Sequence, residues 1–484
     1  MPVREKTIPK LLPVLIFILT ASAVMAASGK TVDATKMGIV GDGVTVNTAA
    51  IQKAIDACSA DGGGTIQFPA GRFVTGTIQL KNNVTLQLDK NAVLLGSTNA
   101  ADYRNIDPFI AGDGVPLGYA LIVAEGAHRV AIEGAGTIDG RGKELRATQT
   151  RYTVRPFLMR WLHCTNVTIK DVRLTNPGAW TLNFFQSRDA TVENVTIRTR
   201  NTGLVNNDGI DLDSCEGVRI RDCDIESGDD ALCLKATSPL PCRDITASGC
   251  KLSTKCNAIK LGTESIGGFE NISVTDCQIT NTRMAGIALY EVDGADLRNV
   301  TISGITMDGV VLPISIRLGA RLKTFREGDQ PRPTPGKLRD VTIKNVSAKN
   351  IEMIGMLING VPGFPVEALT LKNIQFELPG GGTAEDAKIQ LPEKEKAYPE
   401  FSMFGKVLPA YSIYARHVRG VAFKNVRTTV KTPDARPARV FVDVEGVTPA
   451  DFAPSLSPPT SRMARTSEVG TPSETSQLGV PAIQ

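Results

Sequence analysis

The chain has 484 residues, 54 Lys and Arg against 50 Asp and Glu, 45 Gly and only 5% aromatics. That mix suits many short strands and tight turns better than a helical bundle. Near-balanced charge, with no basic stripe and no Lys/Arg block interleaved with aromatics, excludes nucleic acid as an expected partner.

At the N-terminus Arg4, Lys6 and Lys10 precede an apolar run from Leu11 to Met25 and small residues at Ala26 and Ala27. This pattern predicts a secretory signal peptide over residues 1–26 and a secreted or periplasmic protein. The run is short and broken by Pro13, so no stable membrane insertion is expected after its removal. Taking away three basic residues and one acidic residue leaves 51 against 49, a net charge of +2. Next, Asn47 is followed by TAAIQKAIDAC, which places Ala50, Ile51, Ala54, Ile55 and Cys58 on one face of a short helix with Asn47 as its N-cap. Such a helix would cover the open end of a stack of strands.

From there a short unit recurs, apolar-x-apolar-x-(Asn/Asp/Gly)-apolar. It ends at Val172, Val195, Cys223, Cys250, Cys277, Val300, Val346, Ile374 and Val426, with spacings of 23, 28, 27, 27, 23, 46, 28 and 52. A period of 20–30 residues built from short alternating strands is that of a coiled solenoid; a leucine-rich repeat would need a leucine framework that is missing here. The expected fold is all-β, a single-stranded right-handed parallel β-helix over residues 27–447 with the short N-terminal capping helix. Nine cysteines are an odd number that cannot pair completely. In this register Cys223, Cys250 and Cys277 stack as an internal ladder of apolar thiols and not as a metal site. Residues 448–484 are rich in Pro, Ser and Thr with little to bury, and are expected to form a disordered tail.

Aligning the coils on Ile210, Leu232, Ile259 and Ile287 puts Asp208, Asp230, Asn257 and Ala285 at one position on successive turns. Two carboxylates then lie about 5 Å apart, next to a third, Asp229. Like charges so close cost free energy, and a chain with no use for them would seldom keep them together. Cleaving a glycosidic bond requires such a set: one carboxyl protonated to serve the leaving oxygen, others ionised to activate water or attack the sugar. Two outward columns follow from the two-residue period, Asp211–Cys233–Lys260–Ala288 and Asp213–Lys235–Gly262–Tyr290, which makes Asp213 and Lys235 expected neighbours.

These blocks resemble glycoside hydrolase family 28, the polygalacturonases and rhamnogalacturonan hydrolases of the pectin lyase-like superfamily. The resemblance runs from about Thr31 to Gly446 and rests on GAGTIDGRG, PGAWTLNFF, NNDGID and SGDDALCLK, with 21 positions from Asp208 to Asp229. It implies inverting hydrolysis of pectic polysaccharide by a monomer without metal or cofactor. Asp229 would be the general acid, and Asp208 and Asp230 would hold the attacking water. Asn206 and Asn257, in the corresponding blocks, are expected substrate contacts.

Two family elements are absent. Gly-His-Gly is replaced by Cys256-Asn257-Ala258, and the cationic Arg-Ile-Lys by Ala288-Leu289-Tyr290. Lys260 and Arg317 are the expected replacements for the missing cations, and Tyr290 is expected to offer a stacking face to a sugar. The open alternatives are rhamnogalacturonan or another pectic bond as the target, a pectate lyase using Ca²⁺ and an Arg base, and a non-catalytic glycan-binding β-helix.

Overall fold

In this computed structural model residues 30–454 are described. The expected signal peptide over residues 1–26 and the expected tail beyond Pro454 lie outside the described residues. The strands form three parallel sheets, and each turn of the coil contributes one strand to each. Ile210–Asp213 belongs to the site-bearing sheet, Arg219–Arg221 to the second and Asp224–Ser227 to the third; the chain then returns to the first at Leu232–Ala236. Inward residues of all three sheets, such as Leu182, Ile210, Leu232 and Ile259, fill one continuous apolar core. The fold is the expected parallel β-helix. Among the described residues no helix is long and apolar enough to cross a membrane.

The recurring Asn/Asp/Gly of the sequence unit has a conformational reason. Asp171, Asn194, Asp222, Gly249, Asp276, Gly304, Asn345, Asn373 and Asn425 all have positive φ, turning the chain from the second sheet into the third. That left-handed conformation favours Gly, Asn and Asp over other side chains. A second corner of the same kind enters the second sheet at Asn166, Asp189, Gly217, Asp244, Asn271 and Asn299. The two corners look alike in sequence, and this produced one misalignment. Ile305, not Val300, lies in the column of Cys277 and Val346, because Ile305 pairs with Val346 and Thr306 N donates to Cys277 O. The spacings of 23 and 46 therefore become 28 and 41.

The helix forms over Thr48–Ala60 and buries Ile51, Ala54 and Ile55 against the first coils. Asn47 is at its N-cap but makes no side-chain cap bond. Its amide is used elsewhere: Oδ1 accepts from Val40 N at 2.8 Å, and Nδ2 donates to the carbonyls of Val40 and Thr45. At the other end, Thr448–Pro454 pairs in parallel with Ala422–Thr428, so the first residues assigned to the tail extend the coil by one more strand. Pro449 and Pro454 lack an N–H, which an edge strand tolerates.

Three excursions leave the coil and lie over the site-bearing sheet. The first is the hairpin of Arg104–Ile110 and Pro116–Glu125, which pair antiparallel. The second is residues 319–336, between Leu318 and Lys337, and the third is residues 381–412, between Gly380 and Ile413. The first and third have small apolar clusters of their own, around Trp180, Phe109 and Phe157 and around Leu408, Phe401 and Phe404.

All nine cysteines are free. Cys223, Cys250 and Cys277 are each 1% exposed and stack as expected. Cys164, Ser187, Cys215 and Cys242 form a second stack that the repeat unit did not reveal, because it lies at the other corner of the second sheet. Burial raises the Cys215, Cys242 and Cys164 thiols, the latter two to about 12 and about 11. Thiols that a reagent cannot reach react slowly, and Cys223, Cys250 and Cys277 are all buried. Native protein should therefore leave Cys223, Cys250 and Cys277 unlabelled by a thiol reagent that modifies them all after unfolding; mass spectrometry that finds two of them disulfide-linked would refute the ladder.

Candidate active site

The expected register holds in backbone hydrogen bonds. Ile210, Leu232, Ile259 and Ile287 pair in sequence. Gly209 N donates to Asp230 O at 2.8 Å, Ala231 N to Asn257 O at 2.9 Å, and Ala258 N to Ala285 O at 3.0 Å. Asp208, Asp230 and Asn257 thus stack where the chain enters the site-bearing sheet, and Asp229 lies in the same turn as Asp230. Asp208 and Asp230 are each 2% exposed, whereas Asp229 is half-buried.

The two adjacent aspartates have opposite environments. Asp230 Oδ2 accepts from Lys260 Nζ at 2.8 Å, and its Oδ1 accepts from Asn257 N at 3.0 Å and Asn257 Nδ2 at 2.9 Å. Burial alone would raise its pKa, but Lys260, Lys235 and these hydrogen bonds outweigh burial and hold the carboxyl below its ordinary value. For Asp229 burial and the neighbouring Asp230 charge win over the more distant Lys260, so its pKa is raised. One carboxyl is therefore held ionised beside one that keeps its proton to higher pH.

Below them lies a second cation, Lys235, at 3.9 Å from Asp208 Oδ2, 3.6 Å from Asp211 Oδ1 and 3.5 Å from Glu264 Oε2, with its ammonium 4.5 Å from the Trp180 ring centre. Burial disfavours the ammonium, but the acidic groups around it hold it protonated. Burial raises Glu264 too, yet Lys235, Arg321 and Lys260 prevail and lower it to about 2. Asp208 and Asp211 come out the other way. Burial first, and then the charges of neighbouring acids, Asp211 and Asp229 acting on Asp208, and Asp230 and Glu264 acting on Asp211, raise both well above the carboxylate range. One ammonium shared among three carboxylates leaves at least one of them holding its proton.

Several sequence expectations change here. Asp213 and Lys235 are register neighbours on successive coils, as expected, but form no ion pair; Asp213 accepts from Thr237 N at 2.8 Å and Thr237 Oγ1 at 2.6 Å. Gly262 leaves its expected place beside Lys235 because of a bulge. Leu234 pairs with Leu261 but Ala236 with Ser265, so Ile259–Ser265 carries two extra residues that bring Glu264 to Lys235 in place of Gly262. Lys260 is not a free clamp, because its ammonium is held between Asp230 and Glu400 Oε1, the latter at 3.5 Å. Tyr290 presents no stacking face; it is 0% exposed, with its hydroxyl donating to Ser315 Oγ at 3.0 Å. Arg317 is 2% exposed and donates to the carbonyls of Gly360, Glu393 and Lys394, so it ties down the third excursion and is not free to grip a ligand. Asn206 is half-buried and bridges, accepting from Arg155 Nη2 at 2.9 Å and donating to Asp113 Oδ2 at 2.9 Å. Asn257 orients Asp230 and accepts from Ala285 N at 3.1 Å.

The residues that sequence reasoning missed come from the excursions, which share no repeat with the coils. Gly112 N donates to Glu264 Oε1 at 2.8 Å, and Asp107 meets Arg160 at 2.8 Å and Arg326 at 2.9 Å. Tyr398, with its ring 41% exposed, stands near Lys260 and Arg321. Among the described residues, Asp229, Asp230 and Cys256 are the one group whose ligand atoms lie close enough to hold a metal, within 4.8 Å of one another. Lys260 already neutralises Asp230, and the Cys256 thiol contacts Asp229, so the group is satisfied without a cation.

A parallel β-helix that presents paired carboxylates of unequal proton affinity defines a glycoside hydrolase. The chain belongs to the glycosyl hydrolases family 28, whose profile matches residues 58–397. It is 29% identical over 384 residues to a probable polygalacturonase of Vitis vinifera, covering 70% of this chain and 73% of that protein. An exo-poly-alpha-D-galacturonosidase of Dickeya chrysanthemi is 24% identical over 393 residues, covering 68% and 64%. In structure it resembles the family 28 exopolygalacturonase of Yersinia enterocolitica, with a TM-score of 0.71 at 19% identity over 88% of this chain and 79% of that one, which supports the fold.

Because Lys260 lowers the Asp230 pKa, removing its charge should raise that pKa. In Lys260→Met the acid limb of the kcat/KM pH profile should move to higher pH by about one unit or more, with activity lost as pH falls through the new value. An unmoved acid limb would remove Asp230 as the group that must be ionised.

Proposed function

We propose that the chain hydrolyses α-galacturonosyl bonds of pectic polysaccharides after export from the cell, with inversion at the anomeric carbon. Asp229 is the general acid. Asp230 draws the proton from the attacking water, and Asp208 helps hold that water. The observation that carries this assignment is the opposed surroundings of the adjacent pair: Asp229 half-buried with its pKa raised by burial and by Asp230, and Asp230 buried and held ionised by Lys260 and Asn257. Acid and base roles at one pH need such a split. The galacturonosyl substrate is supported by the family and by the names of the relatives, and export by the basic and apolar residues before Ala27.

Asp229→Asn should lower kcat on polygalacturonate by at least about two to three orders of magnitude while leaving the melting temperature near that of the parent. A variant with near-parental turnover would dismiss the acid role. On the parent protein, turnover should fall at high pH as Asp229 loses its proton and at low pH as Asp230 gains one. A rate that rises steadily with pH would point instead to elimination with an external base, as in a lyase, and ultraviolet absorbance of an unsaturated product would settle the matter.

A further inference from the structure

The family's two cationic positions are Ala288 and Tyr290 here, and both side chains are 0% exposed. If the substrate is a uronate, as proposed above, its carboxylate needs another partner. Four cations on this face are already matched by carboxylates: Lys235 by Asp208, Asp211 and Glu264, Lys260 by Asp230 and Glu400, Arg321 by Asp293, and Arg326 by Asp107. Arg317 spends its donors on backbone carbonyls, and the charges acting on it are those of Arg416, Glu393 and Glu395, not the catalytic acids.

Arg155 differs from all of these. It is 7% exposed, and its Nη2 donates to two neutral oxygens, Val205 O at 2.7 Å and Asn206 Oδ1 at 2.9 Å. Its buried Nε has no hydrogen-bond partner. The carboxylates whose charge it feels are Asp113, Asp208 and Asp229, yet none of them lies within ion-pair distance of it. The Asn206 amide, itself fixed by Asp113, fixes one edge of the guanidinium. A guanidinium fixed on one edge by Val205 and Asn206 and lying over the Tyr152 ring at 5.5 Å, with Nη1 bonded to none of the described residues and within the field of Asp208 and Asp229, is arranged to receive an anion.

We propose that Arg155 is the specificity-determining residue that binds the carboxylate of a uronosyl unit beside the cleaved bond. The inference rests on the galacturonosyl reading, and the experiment separates the two. Turnover of polygalacturonate by the parent full-length protein tests the reading first; no turnover of it or of any other uronate polymer removes both. Calorimetry on Asp229→Asn then compares a galacturonate trisaccharide with its methyl ester, alone and in combination with Arg155→Gln or Arg155→Lys. Arg155→Gln should weaken binding of the free acid by about ten- to a hundredfold, as for a lost charge-assisted hydrogen bond, and leave the ester unchanged; Arg155→Lys should keep most of the difference. Equal weakening of both ligands would reduce Arg155 to a residue that positions the Val205–Asn206 turn, and unchanged binding of both would also overturn the proposal.

Discussion

In-register parallel stacking repeats every position of a coil one strand spacing away, and that constraint governs the whole site. Apolar positions benefit, since Ile210, Leu232, Ile259 and Ile287 pack into one column. For Asp208 and Asp230 the same geometry concentrates like charge in a buried place. Two ammoniums offset it, Lys235 and Lys260, both from strands that the coil places over the acids. They are outnumbered, because Asp208, Asp211, Glu264, Asp230 and Glu400 all face them. The site must therefore retain protons: Asp230 and Glu264 are held ionised by the cations around them, whereas burial and neighbouring acids keep Asp208, Asp211 and Asp229 protonated to higher pH.

The balance also explains why the cations are buried and immobile. A charged group taken from water is stable only when paired with good geometry, and removing one partner of such a pair typically costs about 3–5 kcal/mol. Lys235 and Lys260 are thus held in place by the same acids they serve. A cation so committed has little left to offer a ligand, which is why the family's substrate-binding charges cannot be replaced merely by finding a lysine nearby in the sequence.

What was legible in the sequence followed the coil. The period, the column of aspartates and the thiol ladder depend on apolar spacing and on residues that tolerate positive φ, and these signals are local. The slip at Val300 arose because two corners of the same coil use the same residue types, Asn299 and Gly304 both having positive φ. Contacts that depend on an irregularity were not legible: the two-residue bulge that delivers Glu264 to Lys235 has no mark in the period. Nor were contacts from the excursions, since nothing in the repeat says where residues 104–120 or 381–412 fold back. Outward direction alone does not make a residue accessible, as Tyr290 and Arg317 show, because the excursions cover that face.

The hairpin near residue 110 has a consequence for the order in which the molecule is built. Arg160, 53 residues from Asp107, meets it early, but Glu264 is 152 residues from Gly112 and Arg326 is 219 residues from Asp107. A coil can wind turn by turn from its first strands as the chain is made, but the last partners of this hairpin arrive much later. At ordinary synthesis speeds of about 5–20 residues per second, the wait for Arg326 is on the order of ten to forty seconds. Contacts so distant in sequence form late, because their loop entropy must be overcome first. The scaffold can thus be largely wound while its cleft is still unroofed, and catalytic competence marks the end of folding rather than its progress.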